Sequence, residues 1–97
     1  MYKVVTNDLK SLGLRKNPMI LTYRINKWLF SPTIKKGKTD DGGIWCCKSK
    51  GNAIKIQKYM LNKHNIETKI FVCEIGKILY QNSYRIKTNK LKIINEI

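Results

Sequence analysis

The sequence predicts a single α+β domain of about six short, mainly antiparallel strands packed with one helix. Its 97 residues suit one domain, and the 42% of hydrophobic residues are spread in short runs. Several segments alternate apolar and polar residues with period two, whereas one segment alone has helical periodicity. Only two prolines occur and aromatic residues appear throughout, so a disordered chain is not expected.

The N-terminal half is predicted to contain two strands. Tyr2–Thr6 forms the first, and Asn7–Pro18, which mixes polarities around Gly13, forms a loop or a short helical turn. The segment Met19–Phe30 has period-two alternation and is predicted to be one long strand. One face of it carries Leu21, Tyr23, Ile25 and Leu29, and the other carries Arg24, Asn26, Trp28 and Phe30.

A loop, a strand and the helix are predicted to follow. Pro32 and three glycines indicate a loop over Ser31–Gly43, and Ile44–Cys47 is a short apolar strand. The helix begins after Ser49 or Asn52 and ends near His64, with Asn65 available for a left-handed cap. Its apolar face carries Ala53, Ile56, Tyr59 and Met60, and the opposite side carries Lys55, Lys58 and Asn62.

The C-terminal third is predicted to be all strand and turn. The segments are Lys69–Ile75, ended by Gly76, then Ile78–Tyr80, Tyr84–Thr88 and Lys90–Ile94.

Charge is the strongest functional signal. Lys and Arg number 20 against six Asp and Glu, which gives a formal net charge of +14. Repulsion among these cations does not help folding, whereas their positive charge attracts a polyanion. A nucleic acid or a nucleoprotein complex is therefore the expected partner. The alternative is a lysine-rich surface that serves only solubility.

The predicted binding residues lie on the C-terminal strands, on the glycine-containing loop and on the Met19–Phe30 segment. Alternation places Arg85, Lys87, Lys90 and Lys92 on one solvent-facing surface, where phosphates would neutralise them. Lysines on edge strands also prevent aggregation, so this pattern has a second explanation. The loop is interpreted as a flexible cationic arm, and Trp28 beside Arg24 as a platform for stacking bases. The loop cations are Lys35, Lys36 and Lys38.

Catalytic and metal motifs are not predicted. Gly37-Lys38-Thr39 lacks the earlier glycine and the following helix of a nucleotide-binding loop. Cys46 and Cys47 are adjacent on a strand and point to opposite faces, so with Cys73 they are expected to be buried free thiols, not zinc ligands. His64 is the only histidine of the sequence, and neither a histidine pair nor a catalytic triad is expected. No cofactor is expected.

The expected location is the cytoplasm, including that of a host cell. The number of cysteines is odd, as expected for a reducing compartment, and no apolar run is long enough to span a membrane.

The order of elements resembles that of small uncharacterised domains in phage and large-virus genomes, and is similar to the minimal ADP-ribosyltransferase fold. The matching features are Tyr23-Arg24, the Gly43–Trp45 strand, a helix near Ala53 and a strand carrying Glu74. The resemblance implies Arg24, Ser49 and Glu74 as the positions of that family's arginine, serine and glutamate. The serine-threonine-serine run and a second acidic residue are missing.

Three functions are therefore compatible with the sequence. The first is a small, non-enzymatic protein that binds nucleic acid or a complex containing it. The second is a virus-encoded inhibitor or adaptor that docks on an acidic or RNA-bearing protein complex. The third, implied by the resemblance, is a minimal ADP-ribosyltransferase-like enzyme.

Overall fold

The computed structural model describes residues 1–13 and 19–97. They form one helix and seven strands, which confirms the α+β class with one strand more than the approximate count. The strands are β1 (Tyr2–Thr6), β2 (Leu29–Phe30), β3 (Ile44–Cys47), β4 (Thr68–Ile75), β5 (Ile78–Gln81), β6 (Arg85–Thr88) and β7 (Lys90–Glu96), and helix α1 spans Lys50–His64. Residues 14–18 of the predicted Asn7–Pro18 segment lie outside the described residues. No helix of the described part is long and apolar enough to cross a membrane.

The strands form one antiparallel sheet in the order β2-β7-β4-β1-β3-β6-β5. The junction with the fewest paired residues lies between β1 and β3, near the centre of the sheet. β1 and β4 share five registered residue pairs, whereas β1 and β3 share only Tyr2 with Cys47. Beyond this pair β1 and β3 diverge, so the sheet divides into a first half-sheet (β2-β7-β4-β1) and a second half-sheet (β3-β6-β5).

The path of the chain from β6 to β7 shows how the half-sheets are arranged. Only Asn89 separates these strands in sequence, yet three strands lie between them in the sheet. The sheet therefore folds back, and the two half-sheets face each other across a shared core. Asn89 secures the crossing, because its side-chain oxygen accepts from the Lys77 N–H at 2.7 Å and its carbonyl from the Ser31 N–H at 2.9 Å. The core joins Ile44, Cys46 and Ile86 of the second half-sheet to Val5, Phe71, Cys73, Leu91 and Ile93 of the first.

Helix α1 begins and ends where its sequence signals predict. The Ser49 hydroxyl accepts from the Asn52 N–H at 3.2 Å, and Asn65 adopts the left-handed conformation with φ of 54°. The Asn65 N–H bonds to the Leu61 carbonyl, which is the hydrogen bond of an αL cap, and the Ile66 N–H bonds to the Met60 carbonyl.

The helix packs on the outer side of the sheet, over β1, β3 and β4. Ala53 is fully buried against Val4, Cys47 and Ile70, and Met60 is buried about two turns further along the same face of the helix. Ile56 is half-buried, as its place on the predicted face requires. Tyr59 is 48% exposed, so this part of the prediction is wrong, and its ring contacts His64 instead.

The predicted strand over Met19–Phe30 is largely wrong. Only Leu29–Phe30 is a strand, and Thr22 forms an isolated bridge with Lys10. Asn26 interrupts the extended chain, since its φ of 62° is left-handed and its N–H donates to the Ile93 carbonyl. Tyr23 is buried and Phe30 is exposed, in agreement with their places on opposite predicted faces, whereas Ile25, predicted on the same face as Tyr23, is 50% exposed.

Candidate nucleic-acid interface and cavity

The predicted basic face does not form as one surface. Arg85 and Lys87 lie on β6 in the second half-sheet, whereas Lys90 and Lys92 lie on β7 in the first. Alternation places all four on the outer sides of the half-sheets, and the fold turns these two outer sides away from each other. The four cations therefore belong to two separate groups.

The first group, here called the Trp28 cluster, comprises Trp28, Phe30, Lys90 and Lys92. Phe30 pairs with Lys90 in the β2–β7 register, which places rings and ammonium groups on the same outer face. Lys90 Nζ lies 4.5 Å from the Trp28 ring centroid and 5.6 Å from that of Phe30, and Lys92 Nζ lies 5.0 Å from Trp28. Phe30 is 61% exposed and Trp28 37%. The neighbouring Glu74 carboxylate is 3.4 Å from Lys92 Nζ.

Exposed aromatic rings next to cations are the elements of a single-strand binding surface, because rings stack on bases and ammonium groups neutralise phosphates. Sequence analysis selected Trp28 and both lysines but assigned no role to Phe30. The alternating pattern had placed Phe30 on the same face as Arg24 and Trp28, and that was the signal for it.

The second group surrounds Trp45 on β3. The Arg85 guanidinium carbon lies 4.0 Å from the Trp45 ring centroid, and Tyr80 meets the same ring edge-on at 5.9 Å. Arg85 Nη1 is 4.0 Å from Asp40 Oδ1. Arg85 is half-buried, and one face of its guanidinium group packs on Trp45, so only the N–H groups at the edge of the guanidinium plane are left to donate to an acceptor.

Lys87 is not solvent-facing, and this prediction is wrong. The side chain is 0% exposed, and its Nζ donates to the carbonyl oxygens of Thr39 and Asp41, both at 3.2 Å. Gly43 creates the space, because a Cβ there would lie 2.5 Å from Lys87 Cγ. Burial lowers the pKa of Lys87, an effect that the charge of Asp41 partly offsets. Lys87 therefore anchors the loop to the sheet.

The Ser31–Gly43 segment is a loop, as predicted, but it is tied down rather than a free arm. Lys35 Nζ lies 2.8 Å from Asp41 Oδ2, and the Gly37 N–H donates to the Leu79 carbonyl at 3.3 Å. The side chains of Lys35, Lys36 and Lys38 remain exposed, and Lys35 is the one of them that pairs with Asp41. Arg24 is also exposed, and its carbonyl accepts from the Lys27 N–H in a turn.

The positions implied by the transferase resemblance do not form one site among the described contacts. Arg24 lies in the exposed turn, the Ser49 hydroxyl caps α1, and Glu74 pairs with Lys92. A catalytic glutamate requires a cleft, whereas the Glu74 side chain is 60% exposed on a solvated face.

A cavity of about 490 Å³ opens where β1 and β3 diverge. Its walls come from both strands, from the first turns of α1 and from the chain around residues 11–13 and 19–23. The charged lining residues of the described chain are Lys3, Lys55, Arg85 and Asp40, and most of the remainder is apolar. Sequence analysis did not predict this cavity, because no local pattern reports where two strands separate.

The three cysteines are buried and free, as predicted. Cys46 faces the shared core and Cys47 faces the helix, which confirms that the adjacent thiols point to opposite sides of the sheet. The hydrogen bond to Cys73 and burial raise the pKa of Cys46, and burial raises that of Cys47 to about 11. The described residues contain no group of three or more His, Cys, Asp or Glu side chains that could hold a metal ion.

Comparison with known proteins adds no relative from which a function can be transferred. No family model, no curated protein and no solved structure matches this chain.

Proposed function

We propose that this protein binds single-stranded nucleic acid through the Trp28 cluster. The observation that carries the proposal is the exposure of Trp28 and Phe30 with two lysine ammonium groups within 4.5 to 5.6 Å of their ring centroids. Base stacking on an aromatic side chain contributes about 1–3 kcal/mol per base and tolerates any sequence.

The register of β2 and β7 builds this surface. Leu29 and Leu91 pair with their side chains toward the core, so the alternate positions Trp28, Phe30 and Lys90 project outward together. An apolar ring this exposed does not contribute to the core, whereas a base covering it would remove it from water. The adjacent ammonium groups of Lys90 and Lys92 would neutralise phosphates of a strand stacked on these rings.

The remaining charge supports encounter with the strand rather than specificity. A formal net charge of +14 attracts any polyanion at long range, and this attraction weakens with salt. Arg24 and the three exposed loop lysines contribute to it. Lys87 is excluded from the contact surface because it is buried.

The proposal is tested by fluorescence anisotropy with labelled single-stranded RNA and DNA oligomers over a salt series. Lys90→Gln with Lys92→Gln should lower the slope of log affinity against log salt by about 1.4, since each lost phosphate contact removes about 0.7. The matched control changes Lys58 and Lys63, two exposed helix lysines, to Gln. It removes the same charge outside the cluster and should leave the slope near the wild-type value.

Stacking is tested separately by Phe30→Ala. Its loss should weaken binding by about 1–3 kcal/mol and leave the salt slope unchanged, because no charge is removed. If the control pair and the cluster pair weaken binding equally, charge alone drives association and the proposed surface is wrong.

Glu74→Gln gives a test in which oligomer binding should become stronger, not weaker. The carboxylate neutralises Lys92 at 3.4 Å, so its removal should strengthen oligomer binding modestly. Loss of a nicotinamide-dependent modification activity in this variant would instead favour the transferase hypothesis. Absence of oligomer binding by the wild-type protein would favour the adaptor that docks on an acidic protein complex.

A further inference from the structure

The cavity between β1 and β3 has features that the nucleic-acid surface does not explain. It is formed by the separation of two half-sheets, and its volume of about 490 Å³ lies in the range of small-molecule sites. The cavity and the Trp28 cluster share no residue.

Its electrostatics favour an anion. Among the described residues, three cationic side chains, Lys3, Lys55 and Arg85, line it together with one acidic side chain, Asp40. Lys3 is half-buried and projects from β1 toward the inner side of the sheet. Its Nζ donates to the Trp45 carbonyl and lies 5.6 Å from the Tyr23 ring centroid. No carboxylate of the described residues pairs with this ammonium group, which retains two further donors.

Two polar groups of the lining have no hydrogen-bond partner among residues 1–13 and 19–97. The first is the hydroxyl of Tyr23, a residue that is only 2% exposed. The second is the buried Nε of Arg85. Unpaired buried donors are unusual in folded proteins, and each requires an explanation. Both residues line the cavity, so an oxygen acceptor bound there would be a suitable partner once the side chains turn toward it.

We infer that this cavity binds a small organic monoanion. The apolar body of the ligand packs between Val4, Leu21 and Ile56. Its carboxylate, sulfonate or phosphate ester group is held by Lys3, with Tyr23 and Arg85 as further donors. A polymer is not the occupant, since the cavity accommodates a molecule of drug-like size only.

The test compares two fluorescent probes with similar bodies and different charge. Anilinonaphthalene sulfonate is anionic, and N-phenyl-naphthylamine is neutral. The anionic probe should bind at one saturable site about tenfold more tightly than the neutral one, as a charge-assisted hydrogen bond implies. Lys3→Met, which keeps an unbranched side chain, should abolish this preference and leave the neutral probe's affinity unchanged. Lys63→Met, the matched control on an exposed helix position, should retain the preference.

A second measurement uses the wild-type protein, so it does not depend on whether a variant folds. Amide chemical shifts of the labelled wild-type protein, titrated with the anionic probe, should change most at Val4, Cys46 and Ile56. Equal affinity for both probes, a preference that survives Lys3→Met, or shifts confined to other surfaces would overturn the inference. Phe30→Ala should not alter probe binding, so failure of this site and failure of the nucleic-acid surface are distinguishable.

Discussion

The burial of Lys87 predicts that one added methyl group will destabilise the protein at Gly43. In Gly43→Ala the new Cβ would lie 2.5 Å from Lys87 Cγ, 2.8 Å from its Cδ and 3.2 Å from Leu79 Cδ1. Ordinary carbon contacts are about 3.5–4.0 Å, so the lysine stem must move by about 1 Å. It has no free space, because the side chain is fully buried and its Nζ is bonded to the loop.

Overpacking of this kind costs about 1–3 kcal/mol, and the reduced entropy of the unfolded chain offsets about 0.4–1 kcal/mol. We therefore expect Gly43→Ala to lower the free energy of unfolding by about 1–2 kcal/mol, measured by urea denaturation with circular dichroism. The matched control is Gly51→Ala in α1, where the nearest atom to a new Cβ is Ser49 Oγ at 3.9 Å. The same chemical change should there stabilise the protein by about 0.5–1 kcal/mol.

A double-mutant cycle identifies the cause. In a Lys87→Ala background the two nearest atoms, Lys87 Cγ and Cδ, are absent and only the 3.2 Å contact with Leu79 Cδ1 remains, so Gly43→Ala should be much less destabilising. A Gly43→Ala protein as stable as wild type, or an unchanged penalty in the Lys87→Ala background, would refute the reasoning that Gly43 makes room for a buried lysine.

Further predictions concern the thiols, the helix cap and the ion pair. Burial raises the pKa of Cys47 from 9.0 to about 11, so the unfolded chain loses this proton first. Stability should therefore fall between pH 9.0 and about 11, and the fall should be smaller in Cys47→Ala. Iodoacetamide should modify the three cysteines slowly in the native protein and all three rapidly in urea, as mass spectrometry would show; a disulfide-linked mass would contradict this. Ser49→Ala removes the hydroxyl that caps α1 and should cost about 1 kcal/mol in urea denaturation. Glu74→Gln should change the unfolding free energy by less than about 0.5 kcal/mol, because the carboxylate is 60% exposed.

Local signals in the sequence identified most of the elements. The helix could be predicted from its two ends, because Ser49 and Asn65 use their own side chain and backbone for capping contacts only a few residues away. Period-two alternation also assigned the inner and outer residues of β6 and β7 to their sides, with Ile86, Leu91 and Ile93 in the core. The alternation rule failed over Met19–Phe30. There Asn26 is left-handed and its N–H donates to the carbonyl of Ile93, which is distant in sequence.

The candidate sites depended on contacts between residues distant in sequence. Alternation tells which residues share a side of a strand, but not whether another segment covers that side. Thus Lys87 and Lys90 looked equivalent in sequence, yet the loop above Gly43 buries the first and leaves the second beside Trp28. The single-residue crossing at Asn89, which places β6 and β7 in opposed half-sheets, divided the predicted basic face in two. The sequence by itself determined the elements, the caps and the positive charge, because these depend on neighbours along the chain. Only the tertiary structure decided which cations face water and where the cavity opens, because those depend on how the two half-sheets fold over one core.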